Sequence, residues 1–338
     1  MDFDFDVSQR NFRDTARGLL RDSFPASRLR EVWNQGHDYD HRLWKELSKL
    51  GVSGVLIDDR FGGFGGDVVD LLLVLEEFGA ATVPEPVVET ALIAPMVIGA
   101  LGDDAVKKRW LPGLAAGDLV AAVATGTTGV IVADGLSADL LVVCVDRQVH
   151  LVGPDRVTGR RVQSADPSRR LAECDISVDD TTLLSDDERA VPLVERIGAV
   201  GTASLLVGLS QHLIEVTRDY LLTRHQFGRP IGEFQALKHR LADVAVQTEA
   251  ARSLTWNAGY RLRSDEGDEL AAMVAKAAAS HAGYLAGAAA LQLHGGIGFT
   301  WEHDLHLWLQ RGKAWEAAFG STEQHRISVG AAILGVAV

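Results

Sequence analysis

Apolar residues recur at three- and four-residue steps through the first third of the chain, which is the spacing of one face of an α-helix. Leu, Phe and Trp follow this spacing in segments 7–24 and 40–50. Segments 68–81 and 88–102 are almost wholly apolar, so we expect them to lie in a core between other helices. The pattern predicts an N-terminal helical domain over residues 1–117.

The pattern changes after residue 117. Short Val-rich segments are now bounded by Gly, Asp and Pro, which is typical of strands joined by turns. They are segments 120–126, 139–146, 149–155, 159–164 and 174–180. We therefore predict a small, reduced antiparallel β domain over residues 118–188.

From residue 189 the helical spacing returns over longer segments. These segments are joined by short loops and predict an antiparallel four-helix bundle. They cover residues 194–224, 233–263, 269–294 and 303–318. The predicted fold class is therefore mainly α with a small β domain, which lies between the N-terminal helical domain and a C-terminal bundle over residues 189–338.

Composition and charge argue against several functions. The net charge is −13 and the basic residues are scattered, whereas a nucleic-acid-binding surface needs clustered cations. The start, MDFDFDVSQRNF, is acidic and lacks the apolar stretch of a signal peptide. No unbroken apolar run reaches the ~18 residues of a membrane span. We expect a cytoplasmic protein without a membrane partner, in which Cys144 and Cys174 are buried apolar residues, because no CxxC spacing occurs.

Several short motifs suggest other chemistries but fail on their spacing. The glycine-rich stretches 60–67 and 293–301 fit neither GxxxxGK[ST] nor GxGxxG. GLSQH at 208–212 lacks the second glycine of the serine-hydrolase motif GxSxG. Glu302 and His306 have a spacing that metal ligands use, but a di-metal bundle needs a second such pair on another helix. We therefore expect no metal site.

The sequence RHQFGRPIGEFQ at 224–235 separates two helical segments and carries more chemistry than a turn requires. Arg224 can offer a planar fork of donors to a phosphate, and Gln226 can offer a neutral donor. Phe227 can stack on a ring, and Gly228 allows a backbone to come close.

Pro230 is expected in the first turn of the following helix, where its missing N–H costs nothing. Gln235 is then expected one turn inside that helix. By itself the segment also fits a plain helix–helix turn with solvated charges.

A second segment, LQLHGGIGFTWEHDLHLWLQR at 291–311, favours a ligand-binding role over a plain turn. Together the two segments resemble the acyl-CoA dehydrogenase family, whose RxxFGxPI…FQ and QxxGGxG motifs clasp the ADP part of an FAD held by a neighbouring subunit. The order of helical, β and bundle parts agrees over the whole chain. The resemblance implies FAD as cofactor and an acyl-CoA thioester as substrate. GIGFTWEHD is similar to actinobacterial members that act on bulky thioesters, including steroid side chains, and so implies lipid or steroid catabolism.

The resemblance also assigns FAD contacts residue by residue. It implies one group at the pyrophosphate, one at the adenosine end and a pair after the fourth bundle helix. These are Arg224, Gln226, Phe227 and Gln235; Gln292, Gly295 and Gly296; and Ser321 and Glu323. The residue types suit the role, because a dianionic pyrophosphate needs a fork-shaped cation and close backbone approach needs glycine.

The chain departs from the family at the catalytic base. The family uses a desolvated carboxylate to remove the α-proton, often from the motif Y-E-G-T-x-E/Q. That motif reads AFGSTE here, with Phe319 at the position of the base. A second family solution is a Glu–Arg pair at the start of the bundle, and Glu195 stands within one helical turn of it. Glu316 is a further candidate, and a solvated first-turn glutamate is the alternative for Glu195.

The β domain departs further, because it lacks the T-E-P…G-S-D and W-I-T-N segments that hold the flavin ring in the family. The favoured hypothesis is a subunit that completes the FAD site of a longer acyl-CoA dehydrogenase partner, in a heterotetramer with two copies of each chain. One alternative is a self-sufficient homo-oligomer, a dimer or tetramer, that uses Glu195 as base. Another is a non-catalytic structural or regulatory bundle.

Overall fold

The structure, a computed structural model, describes residues 5–35, 41–263 and 269–336. Residues 1–4 of the acidic start and Asp40, the first residue of a predicted helical segment, lie outside the described residues. The chain divides into two compact units. The first comprises Met1–Ala26, Leu72–Val83 and Ala199–Val338, and the second comprises Ser27–Leu71 and Pro84–Gly198.

Helices dominate the chain, and the strands lie in its middle. The helices are α1 (Val7–Ser23), α2 (Ala26–Gln35), α3 (His41–Lys49), α4 (Val68–Ala81), α5 (Ala94–Leu101), α6 (Asp104–Ala116), α7 (Ala190–Thr223), α8 (Gln235–Arg261), α9 (Glu269–His294), α10 (Leu305–Ala317) and α11 (Thr322–Leu334). The strands are β1 (Ala121–Thr125), β2 (Val130–Ala133), β3 (Leu140–Val145), β4 (Gln148–Val152), β5 (Val157–Arg161), β6 (Leu171–Ile176), β7 (Leu183–Ser185), β8 (His225–Gln226) and β9 (Arg229–Pro230). The predicted fold class, mainly α with a small β part, is confirmed.

In the first unit, the bundle is arranged around α9, which packs against α8, α10 and α11. Its many Ala and Gly residues also let α7 approach closely: a Cβ on Gly283 would lie 3.2 Å from Leu206 of α7. The four predicted bundle helices are present. The sequence did not predict α11, which begins with a capping box between Ser321 and Gln324.

Helices α4 and α7 cross at backbone contact within the first unit. A Cβ on Gly208 would lie 1.8 Å from the carbonyl oxygen of Glu76, and one on Gly79 would lie 1.9 Å from that of Leu205. Only glycine permits this approach. Gly208 therefore has a packing role, and GLSQH lies in the middle of α7, as expected for a segment that is not a hydrolase motif.

A buried polar cluster ties α4 to α8. The Glu76 carboxylate accepts hydrogen bonds from Nε of Arg252 at 2.9 Å and from Nε1 of Trp256 at 2.7 Å. Burial raises the pKa of Glu76, and the charge of Arg252 opposes this rise. The cluster satisfies a carboxylate that would otherwise be costly to bury.

Helix α7 is long and apolar enough to cross a membrane by length and composition, although the sequence shows no unbroken apolar run. Of its most apolar 18-residue window, 72% is buried inside the protein. Such burial is typical of a core helix in a folded bundle.

The second unit contains two sheets, with strand orders β1-β3-β4-β7 and β2-β6-β5. The expectation of a purely antiparallel domain is wrong, because β1 and β3 pair in parallel, with Val123 opposite Val142. An alternating pattern sets which face a residue occupies but not the direction of the neighbouring strand. The sequence also missed β2 and β7, which are short and partly exposed.

Both cysteines are free and buried, as predicted. Cys174 lies in the β core with Val132, Leu141 and Val143. Burial raises the pKa of Cys144 to about 12, and the charge of Glu195 adds to this rise. Both thiols therefore behave as small apolar groups rather than nucleophiles.

Secondary structure changes near the predicted domain limits. Helix α6 ends at Ala116 and β1 begins at Ala121, while β7 ends at Ser185 and α7 begins at Ala190. The compact units are discontinuous along the chain, so the division at residues 117 and 188 stays a prediction.

Candidate cofactor-binding site

The break between α7 and α8 is a two-stranded hairpin formed by β8 and β9. Its two loop residues, Phe227 and Gly228, have φ angles of 54° and 78°. Two positive φ angles in succession are typical of the type I′ turn that closes tight hairpins. The Phe227 side chain at the tip is 90% exposed, so the hairpin presents an aromatic ring outward.

This hairpin corrects the expected helix–turn–helix. Pro230 lies in β9 with an extended ψ of 135°, so it ends a strand instead of starting a helix. A 3₁₀ turn over Ile231–Glu233 follows, and Gln235 is the first residue of α8 rather than one turn inside it. The positive φ angles at the loop fold the chain back on itself before α8 can begin.

Two arginines of the hairpin are in different situations. The backbone of Arg224 is fixed by its N–H, which donates to the Tyr220 carbonyl at 2.9 Å. Its side chain is exposed and makes no ion pair or hydrogen bond with any described residue. The guanidinium of Arg229 instead lies 4.3 Å from the centre of the Phe234 ring and 3.7 Å from the Glu233 carboxylate. The guanidinium donors of Arg224 are therefore open to solvent.

The second predicted segment lies at the end of α9. Gln292 is exposed in the last turn, and a 3₁₀ turn follows over Gly295–Phe299. The φ of 64° at Gly295 lies in the left-handed region that favours glycine. Gly296 does not have a left-handed φ, and a Cβ there would meet no atom within 4 Å. Neither backbone conformation nor packing within the described chain requires glycine at 296.

One aromatic stack brings the two segments together. The rings of Tyr220, near the end of α7, and His294, the last residue of α9, are 4.5 Å apart and 21° from parallel. His294 is buried and its Nδ1–H donates to the Ala290 carbonyl at 2.8 Å. Burial lowers the pKa of His294, so the ring is held neutral. Arg224 and Gly295 each follow closely after one of the stacked rings.

Large apolar side chains are exposed in both segments. Besides Phe227, Phe299 is 75% exposed and Trp301 is 61% exposed. Exposed aromatics beside an available guanidinium and an open glycine are typical of a surface that a partner or ligand covers.

The remaining predicted contacts lie elsewhere, at the turn between α10 and α11. The hydroxyl of Ser321 caps α11 by accepting from the Gln324 N–H at 3.3 Å, and Glu323 is exposed in the first turn. This turn is bonded to Lys276, which lies 16 residues before Gln292 on α9, or about 24 Å at the rise of an α-helix. The predicted FAD contacts therefore form two groups at opposite ends of α9.

Comparison with known proteins identifies the family. The descriptions "Acyl-CoA dehydrogenase, N-terminal domain" and "Acyl-CoA dehydrogenase, C-terminal domain" match residues 6–118 and 194–334. A Mycobacterium tuberculosis protein named acyl-CoA dehydrogenase IpdE2 is 34% identical over 305 residues, covering 88% of this chain and 89% of that protein. This chain belongs to the acyl-CoA dehydrogenase family.

Solved structures of the family share the fold. A variant of the Tcur3481-Tcur3483 steroid ACAD has a TM-score of 0.87 and 25% identity, covering 97% of this chain and 98% of that one. The ChsE4-ChsE5 complex from Mycobacterium tuberculosis has a TM-score of 0.88 at 21% identity, covering all of both chains. The recognition from the two motifs is confirmed, and with it the oxidoreductase class and FAD as the cofactor.

The hairpin and the end of α9 fit the ADP part of FAD. The exposed guanidinium of Arg224 is the fork-shaped cation that a pyrophosphate requires, and the exposed Phe227 and Gln292 would offer a ring face and an amide. The open space at Gly296 allows a ligand to approach the backbone without displacing any group of this chain. The polar and aromatic groups of the acyl-CoA dehydrogenase motifs are therefore exposed on the surface of this chain.

The structure places the family position of the base and the two candidate carboxylates differently. Phe319, at the family position of the base, has a φ of 51° and no ionisable group. The Glu316 carboxylate lies 2.6 Å from the Lys313 ammonium, so an ion pair already engages it. Glu195 is exposed in the second turn of α7, close enough to Cys144 for its charge to raise that pKa.

Sequence reasoning missed the residues that arrange the site. Tyr220 and His294 were not singled out, although each stands close before a predicted ligand. Lys276 was also missed, since it stands in an Ala-rich stretch and its partners are backbone carbonyls far along the chain.

Proposed function

We propose that this chain is one subunit of a two-component acyl-CoA dehydrogenase and completes the FAD site of a longer partner subunit. The observation that carries the proposal is the outward-facing group of Arg224, Phe227 and Gly296, joined by the Tyr220–His294 stack. Within the described part of the chain the Arg224 side chain has no ion pair or hydrogen bond, and Phe227 contacts only the Phe234 ring, edge to face at 6.0 Å. The position of the family base holds Phe319.

In this assembly the residues of this chain bind and orient the cofactor. Arg224 neutralises pyrophosphate charge, and Phe227 and the backbone at Gly296 exclude water from the ADP part. Bound in this position, FAD would supply the acceptor for the hydride that leaves the β-carbon of the thioester. Since Phe319 cannot take a proton, the α-proton is removed by a carboxylate that the partner subunit contributes.

We propose a bulky or steroid-derived acyl-CoA as the substrate. The support is the similarity to a protein described as a steroid ACAD, together with the GFTWEHD sequence at 298–304. The substrate class is tested by adding short-chain and steroid-derived thioesters to the assembled enzyme and following loss of the flavin absorbance. Bleaching by the short-chain thioester alone would contradict this substrate.

The subunit role is tested by purifying the chain alone and after co-expression with a longer acyl-CoA dehydrogenase. The chain alone is expected to be colourless, and the co-purified heterotetramer is expected to absorb at about 450 nm as a flavoprotein. Stoichiometric FAD on the chain alone would overturn the proposal. A colourless heterotetramer in which Arg224→Ala changes nothing would favour a structural subunit.

The second candidate is a homo-oligomeric enzyme with Glu195 as base. Glu195 is exposed and therefore accessible to a thioester, and binding of that thioester would have to desolvate its carboxylate. This candidate requires thioester oxidation by the isolated chain. Glu195→Gln is then expected to lower kcat by several orders of magnitude, because the proton acceptor is lost. Glu188→Gln, at another exposed position just before α7, is the matched control. Equal rates in both variants would remove Glu195 as the base.

A further inference from the structure

Lys276 is fully buried in α9, which is rare for lysine. Its ammonium donates to the Ser280 hydroxyl at 3.1 Å and to the carbonyls of Glu316 and Gly320, both at 3.0 Å. An ammonium has three donors, and all three are used. Burial lowers the pKa of Lys276 to about 8, which still leaves the group mainly charged at neutral pH.

The partners of Lys276 are not carboxylates. The Glu316 carboxylate forms its ion pair with Lys313, and Lys276 bonds to the backbone carbonyl of Glu316. The Glu316 charge opposes the lowering of the Lys276 pKa without forming a hydrogen bond to it. The two carbonyls lie at and just beyond the C-terminal end of α10, where the helix dipole favours a cation. Lys276 therefore holds backbone atoms and not a partner charge.

The turn that Lys276 holds has an unusual backbone. Phe319 and Gly320 have φ angles of 51° and 95°. A bulky residue at positive φ costs about 1–3 kcal/mol and persists only where its surroundings impose it. From the other side, the Nε2–H of His325 in α11 donates to the Phe319 carbonyl at 2.8 Å. A Cβ on Gly320 would lie 2.5 Å from the same His325 nitrogen, so the turn and the ring are fitted together.

The turn sets where α11 begins. Ser321 is the N-cap of α11, and Glu323 follows in its exposed first turn. An apolar residue of similar volume would fill the space of Lys276 without the desolvation cost of a buried charge. The ammonium adds what an apolar side chain of this size cannot, namely donors that fix two backbone carbonyls of the turn.

We propose that Lys276 is a positioning residue that, together with His325, holds the turn between α10 and α11 so that Ser321 and Glu323 face FAD in the assembled enzyme. The cofactor part of this inference rests on the proposed function, whereas the holding of the turn does not. The position of the turn is independent of the hairpin, because the two lie at opposite ends of α9.

The test uses Lys276→Met, which keeps the length of the side chain and removes its donors. The control, Lys313→Met, removes a cation beside Glu316 that touches no backbone carbonyl. Hydrogen exchange measured by mass spectrometry is expected to rise about tenfold or more over residues 316–326 in Lys276→Met, and to stay unchanged in the control. FAD affinity of the co-expressed assembly is expected to fall about tenfold or more in Lys276→Met alone.

His325 supplies a second pair of variants if Lys276→Met does not fold. His325→Leu removes the donor to Phe319 and is expected to loosen the turn and weaken FAD binding. His325→Gln retains an N–H near the same place and is expected to restore both. Rescue by glutamine would not follow from a packing role, because leucine fills the space as well.

Two results would overturn the inference. Unchanged exchange over 316–326 in Lys276→Met would show that Lys276 does not hold the turn. Faster exchange with unchanged FAD affinity, in a wild-type assembly that binds FAD, would show that the turn does not position the cofactor. A wild-type assembly without FAD would instead refute the proposed function and the cofactor part together, while the exchange result would still decide the role of Lys276.

Discussion

The ring of Tyr220 stacks on the ring of His294, with centroids 4.5 Å apart, where α7 and α9 both end. The Tyr220 carbonyl also accepts from the N–H of Arg224, and Gly295 follows His294 directly. This contact therefore ties the end of α7, which precedes Arg224, to the end of α9, which precedes Gly295. Neither segment alone holds both groups.

Replacing Tyr220 by leucine is expected to separate the two segments without unfolding the bundle. The lost stack is worth about 1 kcal/mol in stability, so the melting temperature changes little. FAD affinity of the assembly is expected to fall about tenfold or more, because Arg224 and Gly296 no longer approach the same ligand. Tyr260→Leu, on the exposed side of α8, is the control and is expected to leave affinity unchanged. Equal effects in both variants would contradict a placing role for the stack.

Gly296→Val is expected to abolish FAD binding while leaving the fold intact. Apart from the two adjoining residues, no atom in residues 5–35, 41–263 and 269–336 lies within 4 Å of a Cβ at this position, and its φ is not left-handed. Only a group from outside the chain would meet the added side chain. Gly330→Val in α11 is the matched control, since its Cβ also meets nothing within 4 Å. Melting temperature and flavin content measured on both variants decide the outcome, and a folded Gly296→Val assembly with full FAD content would contradict the site.

The sequence predicted the helices because apolar residues recur at helical spacing through long segments such as 194–224. It could not predict that β1 pairs with β3 in parallel. The sequence pattern around Val123 sets which side chains share a face of the sheet, and that is the same for a parallel and an antiparallel neighbour. The hairpin was missed because it depends on a positive φ at Phe227, which no residue preference indicates.

The candidate site was predictable in its ligand types but not in its arrangement. Arg224 and Gly295 could be named because their chemistry suits a pyrophosphate and a close backbone. That Ser321 lies at the other end of α9 could not be known, since it depends on which carbonyls Lys276 reaches across 40 and 44 residues of sequence. Long-range bonds to backbone atoms leave no pattern in a single sequence.

Arg224→Ala is expected to weaken FAD binding by the assembly about tenfold to a hundredfold, which corresponds to the loss of a charge-assisted hydrogen bond. Arg229→Ala is the control two positions beyond the hairpin tip, because its guanidinium is already engaged by Phe234 and Glu233. Titration of the apo assembly with FAD measures both. A larger loss in Arg229→Ala than in Arg224→Ala would reverse the assignment of the two arginines.

Glu76→Ala is expected to destabilise the first unit by about 1.5–3 kcal/mol, because Arg252 and Trp256 lose a buried acceptor, although Arg252 keeps its ion pair with Glu249. The neighbouring Glu77→Ala is the control: Glu77 pairs with Arg17, whose side chain is 58% exposed, so its loss is expected to cost about 1 kcal/mol or less. Urea unfolding followed by Trp fluorescence compares the two variants. Similar losses of stability would show that the Glu76 cluster contributes no more than a surface pair.

The stability of the first unit is expected to fall in mild acid because of His212. This ring stacks on Trp308 at 4.5 Å, and burial lowers the pKa of His212 to about 4. An unfolded histidine has a pKa of about 6.5, so between these values the unfolded chain binds more protons than the folded one. The contribution of the neutral ring is complete above about pH 6.5 and about 3 kcal/mol of it is lost as the pH falls to about 4.

His212→Phe keeps an aromatic ring on Trp308 but cannot bind a proton. Both proteins are measured by urea unfolding at about pH 6.5 and about pH 4. The fall in unfolding free energy between these pH values is expected to be about 3 kcal/mol smaller in His212→Phe than in the wild type. The other groups that titrate in this range contribute equally to both proteins, so their contributions cancel when the two pH profiles are subtracted. Parallel pH profiles would mean that His212 is protonated without cost in the folded chain, and the stack on Trp308 would then have to accommodate a charged ring.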